Sequence, residues 1–309
     1  MTGHKITETT KGVFIIAATP FQDNGNIDFG SIDRLVEFYI EKGVSGITIL
    51  GMMGEAQKLN PEESTAVMKQ VLRRVNGRVP VIVGVSNPGM GNLAALSHSA
   101  MDLGSAGVMV APFAAQKTET SLYNYYESVC DALGADVPLC YQDFPLVTGV
   151  NISVDCFHRM VDDFEQLVML KHEDWPGLPK LSQIRAKEKD DSHRRVSILC
   201  GNGGLYLPQE LARGADGAMT GFAYPEMLVQ VCDLFQNGDV DTAEDLFDLY
   251  LPVVRHEQQP GYGLAVRKEI LRRRGAISTA LTRAPGPKLS KEDHVDLDRL
   301  LVRLEARLS

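Results

Sequence analysis

One apolar run of the chain, residues 167–171, ends in Lys171. A lysine at the end of a buried strand is flanked by apolar side chains, and the loss of solvation disfavours its ammonium form. The neutral amine attacks a 2-oxo acid and forms an imine, which accepts electrons while a neighbouring C–C or C–O bond breaks. Lys171 is therefore a candidate covalent catalyst. The alternative is a lysine that merely leaves the strand and extends to water.

A tyrosine closes the preceding apolar run, residues 138–141. If the strand ends at Tyr141, its phenol lies at the same edge as Lys171 and can transfer the protons that imine formation requires. The alternative is a core tyrosine whose hydroxyl finds some other partner. Only the pairing with Lys171 favours the catalytic interpretation.

Two glycine-containing turns follow other apolar runs. In the segment Gly51-Met52-Met53-Gly54-Glu55, two glycines frame a turn that can expose successive backbone N–H groups, and such groups bind a carboxylate. The alternative is an ordinary strand-to-helix turn with its methionines packed inward. A second loop begins at Gly201 and can either cradle a phosphate or let a substrate approach the backbone closely, although glycine-rich loops are common.

The elements that position these residues are short apolar runs separated by helical patterns, which is typical of buried parallel strands. Eight such runs predict an α/β fold, a (β/α)8 TIM barrel whose chemistry lies at the carboxyl ends of the strands. The runs are residues 13–18, 46–50, 80–85, 107–111, 138–141, 167–171, 196–200 and 217–220.

Helix signals support this division. Asn60, Pro61 and Glu63 predict a capped helix start, and Gly43 predicts the end of the helix before it. After the eighth run the patterns are helical only, so we predict a barrel over residues 1–236 and a C-terminal helical appendage over 237–309.

Several of these motifs, in this order and spacing, resemble the dihydrodipicolinate synthase and N-acetylneuraminate lyase family up to about residue 275. The resemblance implies a homo-oligomer, a dimer or tetramer, that uses no metal or organic cofactor and forms a Schiff base with pyruvate or another 2-oxo acid. It assigns Lys171 as the imine former, Tyr141 as the proton shuttle and Gly51 to Gly54 as the carboxylate site. The motifs are Gly12-Val13 to Thr19-Pro20-Phe21, the G-x-x-G-E turn at 51–55, Tyr141 with Pro145 and Thr148-Gly149, and Lys171.

The synthase itself is less similar to this chain than the family is. It has two threonines where Met52 and Met53 stand, so hydroxyl donors are replaced by backbone donors alone. Its arginine corresponds by count to Val147, and its relay tyrosine falls near Ala114. Dihydrodipicolinate synthesis is therefore only an alternative function.

Other segments are similar to the 2-keto-3-deoxy sugar acid dehydratases. The resemblance favours dehydration or retro-aldol cleavage of a 2-keto-3-deoxy acid, with Asp143, Glu173, Gly201 and Met219 as candidate substrate contacts. Met52 and Met53 leave an apolar aldehyde as an alternative aldol partner, and a non-catalytic barrel is the competing class. The segments are Gln142-Asp143-x-Pro145, Gly217 to Gly221 followed by Pro225, and Leu251-Pro252 leading through Glu257 and Gln259 to Gly261 and Gly263.

Charge and composition favour a small-molecule substrate. The formal net charge of −9 offers no basic face for nucleic acid or an anionic membrane. The sequence shows no apolar run of membrane-spanning length, and we predict a cytoplasmic protein with reduced cysteines. We interpret the basic stretch from Arg267 to Arg274 as the cationic end of a helix that Gly275 terminates, with an anion or partner site as the alternative.

Overall fold

The computed structural model describes residues 5–189 and 193–308. Eight parallel strands form a closed barrel in which each strand pairs with the next and β8 pairs with β1. The predicted (β/α)8 fold is confirmed. The strands are β1 (Gly12–Ile16), β2 (Gly46–Ile49), β3 (Val81–Gly84), β4 (Gly107–Val110), β5 (Leu139–Asp143), β6 (Leu167–His172), β7 (Ser197–Cys200) and β8 (Gly217–Ala218).

Helices alternate with the strands and then continue alone. The last barrel helix ends at Gln236, and three further helices follow it. The helices are α1 (Phe29–Glu41), α2 (Pro61–Val75), α3 (Met90–Asp102), α4 (Glu119–Leu133), α5 (Pro145–Thr148), α6 (Val154–Asp163), α7 (Gly177–Lys189), α8 (Leu207–Ala212), α9 (Pro225–Gln236), α10 (Val240–Glu257), α11 (Gly263–Arg273) and α12 (Lys291–Leu308).

The sequence signals for helix boundaries act as expected. Asn60 caps α2: its side chain accepts from the backbone of Glu63, and the Glu63 carboxylate accepts from the backbone of Asn60. Helix α1 ends just before Gly43, which adopts a φ of 80°. This left-handed conformation costs glycine little because it has no Cβ.

The core of the protein consists of two apolar clusters. One lies between the strands and the surrounding helices, and the other fills the barrel interior, because successive residues of a strand point to opposite faces. On β5, Cys140 belongs to the interior cluster, whereas Tyr141 belongs to the outer one. The interior cluster contains Ile6, Phe14, Ile16, Ile82, Ala106, Met109, Cys140, Val168, Met169, Leu199 and Met219.

Strand β5 is longer than predicted. It continues to Asp143 instead of ending at Tyr141, and its pairing with β6 shifts register between Leu139 and Cys140. The prediction that the strand ends at Tyr141 is wrong because polar residues extend it while remaining paired with β6. This difference decides which side chains reach the barrel mouth.

The five cysteines are all buried free thiols, as predicted. Burial raises the pKa of Cys140, Cys130 and Cys232 to about 12, which keeps these thiols protonated at neutral pH. In the described part of the chain, no helix combines the length and the apolarity needed to cross a membrane.

Candidate active site

A buried lysine–carboxylate pair lies at the carboxyl end of β6. Lys171 Nζ is 2.8 Å from Oε2 of Glu173, and the two residues are only 4% and 6% exposed. The two side chains share the inner face because they are two residues apart on an extended chain. The expectation of purely apolar walls around Lys171 is wrong, since the carboxylate of Glu173 faces the amine.

Two neighbouring strands hold Glu173 in place. Gln142, which pairs with Lys171 in the sheet register, donates from Nε2 to Oε2 of Glu173 at 2.8 Å. Directly after β7, a Cβ atom at Gly201 would overlap the Cγ of Glu173, so only glycine leaves room for this carboxylate. The predicted role of Gly201 in substrate approach is untested, but its structural role is to accommodate Glu173.

Tyr141 does not face this pair. Its ring packs 4.9 Å from the ring of Tyr126 on α4 and 6.1 Å from that of Phe157 on α6, both centroid to centroid. Burial raises the pKa of Tyr141 well above its usual value. The expected position of Tyr141 beside Lys171 is wrong, because strand alternation turns its side chain outward and brings Gln142 inward. Its assignment as proton shuttle stays a prediction that this geometry does not support.

Asp143 also points away from the barrel interior. Its Oδ2 accepts from Nζ of Lys180 at 2.6 Å, and Lys180 also bonds Asp174 at 3.0 Å. Burial raises the pKa of Asp143 to about 6, opposed by the charge of Lys180, and burial lowers the pKa of neighbouring His172. Asp143 therefore belongs to an ion-pair cluster behind β5 and β6, and its assignment as a substrate contact stays a prediction that this placement does not support.

The turn after β2 presents backbone donors. Leu50 and Glu55 adopt positive φ values of 54° at its two ends, and Thr19 donates to the carbonyl of Gly54 at 2.7 Å. Within residues 5–189 and 193–308, the backbone N–H groups of Met52 and Met53 meet no protein acceptor. A carboxylate fits such donors, which agrees with the predicted role of residues 51–54.

The remaining predicted contacts lie near the barrel axis. Met219 is fully buried in the interior cluster together with Met169, so it packs inside the barrel. Met53 is partly buried against the same cluster, whereas Met52 is 38% exposed. Substrate contact by Met52, Met53 and Met219 stays a prediction.

No group of three or more histidine, cysteine, aspartate or glutamate side chains that could hold a metal ion occurs among the described residues. The predicted independence from metal and organic cofactors remains untested.

The sequence predicts Glu173 only as a possible contact of substrate hydroxyls and does not single out Gln142 as a site residue. The signal for both was available: Lys171 and Glu173 are two residues apart, and Cys140 and Gln142 are too, so each pair shares a face once one member is placed. The exact end of β5 was the missing information, because a one-residue shift exchanges the two faces.

The chain was compared with known proteins. Residues 9–304 match the model of the Dihydrodipicolinate synthetase family. An L-2-keto-3-deoxyarabonate dehydratase from Azospirillum brasilense is 30% identical over 97% of this chain and 96% of its own length. A 4-hydroxy-tetrahydrodipicolinate synthase from Geobacter metallireducens is 32% identical over 76% of this chain and 79% of its own.

The solved structures include a close neighbour. A crystal structure from Rhodopseudomonas palustris, described as dihydrodipicolinate synthase, has a TM-score of 0.95 and 46% sequence identity, covering 97% of this chain and 99% of its own. Since the family match covers nearly the entire chain and a relative of 30% identity spans it, the protein belongs to the Dihydrodipicolinate synthetase family.

Proposed function

We propose that this protein is a Schiff-base-forming lyase that removes water from a 2-keto-3-deoxy sugar acid. The observation that carries the proposal is the buried pair of Lys171 and Glu173, whose Nζ and Oε2 atoms are 2.8 Å apart. An amine and a carboxylate at this distance exchange a proton directly, without a phenol between them.

Imine formation follows from this pair. Glu173 removes a proton from the Lys171 ammonium, and the neutral amine attacks the C2 carbonyl of the substrate. A proton passes from nitrogen to the former carbonyl oxygen, and Glu173 returns its own proton to that hydroxyl, which leaves as water. The product is a C2 iminium ion on Lys171, with Glu173 again ionised.

Elimination then uses the same carboxylate. Glu173 removes a proton from C3, and the C2–C3 enamine forms as the iminium nitrogen accepts the electron pair. When the enamine expels the C4 hydroxyl, Glu173 returns the proton to it, and the second water leaves. Hydrolysis of the resulting unsaturated iminium releases the product and Lys171. Gln142 keeps the Glu173 carboxylate oriented throughout, through its 2.8 Å hydrogen bond.

The substrate class rests on two observations. The backbone donors of Met52 and Met53 suit the C1 carboxylate of a 2-oxo acid. The relative from Azospirillum brasilense that spans this chain is named as a dehydratase of a 2-keto-3-deoxy acid. A C4 hydroxyl beside a C3 methylene is the group that elimination through a C2 iminium requires.

A second candidate is aldol chemistry with an apolar aldehyde, which begins from the same iminium. Large apolar side chains are exposed on the segments that follow β5, β6 and β7: Leu146 is 69% exposed, Val147 56%, Trp175 44% and Tyr206 41%. The rings of Trp175 and Tyr206 pack edge to face with centroids 5.2 Å apart. Such side chains suit an aromatic or aliphatic partner better than a hydroxylated one.

The test is reductive trapping. The protein is incubated with pyruvate or with a 2-keto-3-deoxypentonate, borohydride is added, and the adduct is located by peptide mass spectrometry. We expect a substrate-dependent mass gain on the peptide that carries Lys171. Without borohydride, we expect the sugar acid to lose one water, and accumulation of pyruvate would instead identify aldol cleavage.

Two variants control this experiment. Lys171→Ala should give no adduct, whereas Lys69→Ala, at an exposed lysine of α2, should trap as well as the wild type. Failure of every acid to label the wild type would overturn the proposal and favour a non-catalytic barrel. The predicted homo-oligomer is a separate proposal, which light scattering checks by comparing the solution mass with the 33.9 kDa chain.

A further inference from the structure

Two consecutive residues of the C-terminal region, Arg267 and Lys268, reach the turn that follows β2. Both lie on α11, and they are only 8% and 0% exposed. Their burial contradicts the interpretation of the whole basic stretch as a cationic helix end. Only Arg272 and Arg273 occupy the last turn of α11. The first two cations therefore serve another purpose.

Lys268 fixes the end of the turn. Its Nζ donates to Oε1 of Glu55 at 2.6 Å, to the carbonyl of Thr19 at 2.9 Å and to the carbonyl of Leu281 at 2.8 Å. Thr19 in turn donates to the carbonyl of Gly54. The backbone at positions 54 and 55 is thus tied to α11 by side chains that are almost completely inaccessible to water.

Arg267 reaches the middle of the same turn. Its Nε donates to Oε2 of Glu257 at 2.7 Å, and its Nη1 approaches Sδ of Met53 at 3.1 Å. On the segment after β8, a Cβ atom at Gly221 would overlap this sulfur and would lie 3.1 Å from Nη1. The thioether is therefore confined between Arg267 and the backbone of Gly221.

These contacts bear on substrate binding because Met53 supplies one of the backbone donors of the turn that meet no acceptor among the described residues. A donor binds a carboxylate well only when its direction is fixed before the ligand arrives. We propose that Arg267 is a positioning residue that holds Met53, and with it the Met52 and Met53 N–H groups, in the orientation that binds the carboxylate of the 2-oxo acid. This inference rests on the proposed function.

The proposal changes the role of the C-terminal helical region. Helix α11 then sets the affinity of the barrel for the substrate carboxylate, while Lys171 and Glu173 carry out the bond changes. Loss of the Arg267 contact should consequently raise the half-saturating concentration of substrate and leave the rate at saturation unchanged.

The first test is Arg267→Lys, which keeps a cation for Glu257 but removes the planar group that reaches Met53. The readout is borohydride trapping at Lys171 over a range of pyruvate concentrations. We expect the half-saturating concentration to rise about 3- to 10-fold, the effect of losing one hydrogen bond. The trapping rate at saturating pyruvate should equal that of the wild type.

Arg272→Lys is the matched control, because Arg272 lies on the same helix and its guanidinium pairs, within the described ranges 5–189 and 193–308, only with the neighbouring Glu269. It should leave the half-saturating concentration unchanged. Thermal melting of both variants separates a loss of affinity from a loss of folded protein.

Met53→Leu provides a second and independent test, since it keeps an apolar side chain but removes the sulfur. It should weaken pyruvate binding to the same extent as Arg267→Lys, and the double variant should be no weaker than either single one, as expected for two residues that act through one contact. Additive effects of the two substitutions, or trapping curves identical to the wild type, would overturn the inference. A wild type that does not trap at all would instead overturn the proposed function.

Discussion

Among the residues that the structure describes, two lysine–glutamate pairs are buried, and they differ in how completely the lysine is bonded. Lys268 donates to Glu55 and to two backbone carbonyls, so all three of its N–H groups are used. Lys171 contacts Glu173 at 2.8 Å and has no second hydrogen-bond acceptor in the part of the chain that the structure describes. The two Nζ–carboxylate distances are similar, but Lys268 has three partners and Lys171 has one.

This difference separates Lys268, which is a structural cation, from Lys171, which is the proposed imine former. When a lysine with three acceptors gives up a proton, it loses one hydrogen bond and the charge that strengthens the other two, so its acceptors oppose deprotonation. In Lys268 they act against burial, which lowers the pKa of this lysine. A lysine with one acceptor can pass a proton to that acceptor and still present a free electron pair to a substrate. A buried Lys–Glu pair alone is thus a poor sign of catalysis, whereas an incompletely bonded one is a better sign.

The largest effect should follow from removing the proton acceptor of the incompletely bonded pair. Glu173→Gln keeps the size and the hydrogen-bonding capacity of the side chain but cannot take up the ammonium proton. We expect turnover of the 2-keto-3-deoxy acid to fall about 10²- to 10⁴-fold, the usual contribution of a general base. The measurement is steady-state turnover at saturating substrate.

Glu173→Asp is the companion variant, because it retains the base but moves it away from Nζ by one methylene. Its turnover should fall between those of the wild type and Glu173→Gln. Turnover of Glu173→Gln within threefold of the wild type would contradict the assignment and would point to water as the base.

The next effect concerns the fully bonded pair. Lys268→Met leaves Glu55 buried without its principal cation, although Lys58 still bonds it at 2.8 Å. We expect the free energy of unfolding to fall by about 3–5 kcal/mol, the cost of breaking a buried ion pair. Urea denaturation measures this change.

The double variant Lys268→Met/Glu55→Gln removes both charges and should recover part of the lost stability. If Lys268→Met were as stable as the wild type, the interpretation of Lys268 as a structural cation would be wrong. The comparison with Lys171 would then lose its basis.

The smallest effect is a pH dependence at Asp143, which accepts a hydrogen bond from the buried Lys180. Because burial raises the pKa of Asp143 from 3.8 to about 6, the folded state takes up a proton that the unfolded state does not hold between these values. Stability from this group is therefore present below the unfolded pKa and is lost as pH rises through the folded pKa. His172, Asp174 and Glu173 are the other titratable groups that act on it.

The variant Asp143→Asn isolates this contribution. Lowering the pH from 7 to 4.5 should stabilise the wild type relative to the variant by about 2 kcal/mol. Chemical denaturation at several pH values gives the difference. A constant gap between the two proteins, or one that narrows toward acid pH, would contradict the expected direction.

The fold was predictable because each strand is a short apolar run and each helix carries its own boundary signals. Eight runs gave the barrel, and the Asn60 cap gave the start of α2. Lys171 stood out because a charged residue ends an otherwise apolar strand. Each of these features depends on a short stretch of sequence, so the residue pattern within that stretch predicts it.

The rest of the candidate site depends on register and on distant contacts. Polar residues extend β5 beyond its apolar run, so the sequence pattern placed Tyr141 at the mouth where Gln142 belongs. The contact of Arg267 with Met53 joins residues 214 positions apart, and that of Lys268 with Glu55 joins residues 213 apart. No periodicity within a single helix or strand records such pairings.

Gly201 has a consequence for the redesign of this barrel and for recognising others like it. Because any larger residue at position 201 would collide with Glu173, a carboxylate just after β6 and a glycine after β7 have to be introduced together when this site is transferred to another scaffold. The same dependence predicts that evolutionary changes at positions 173 and 201 are linked. A protein that has the glutamate but lacks the glycine should be selected against. A search for similar catalysts can therefore use the two positions jointly as a sequence filter.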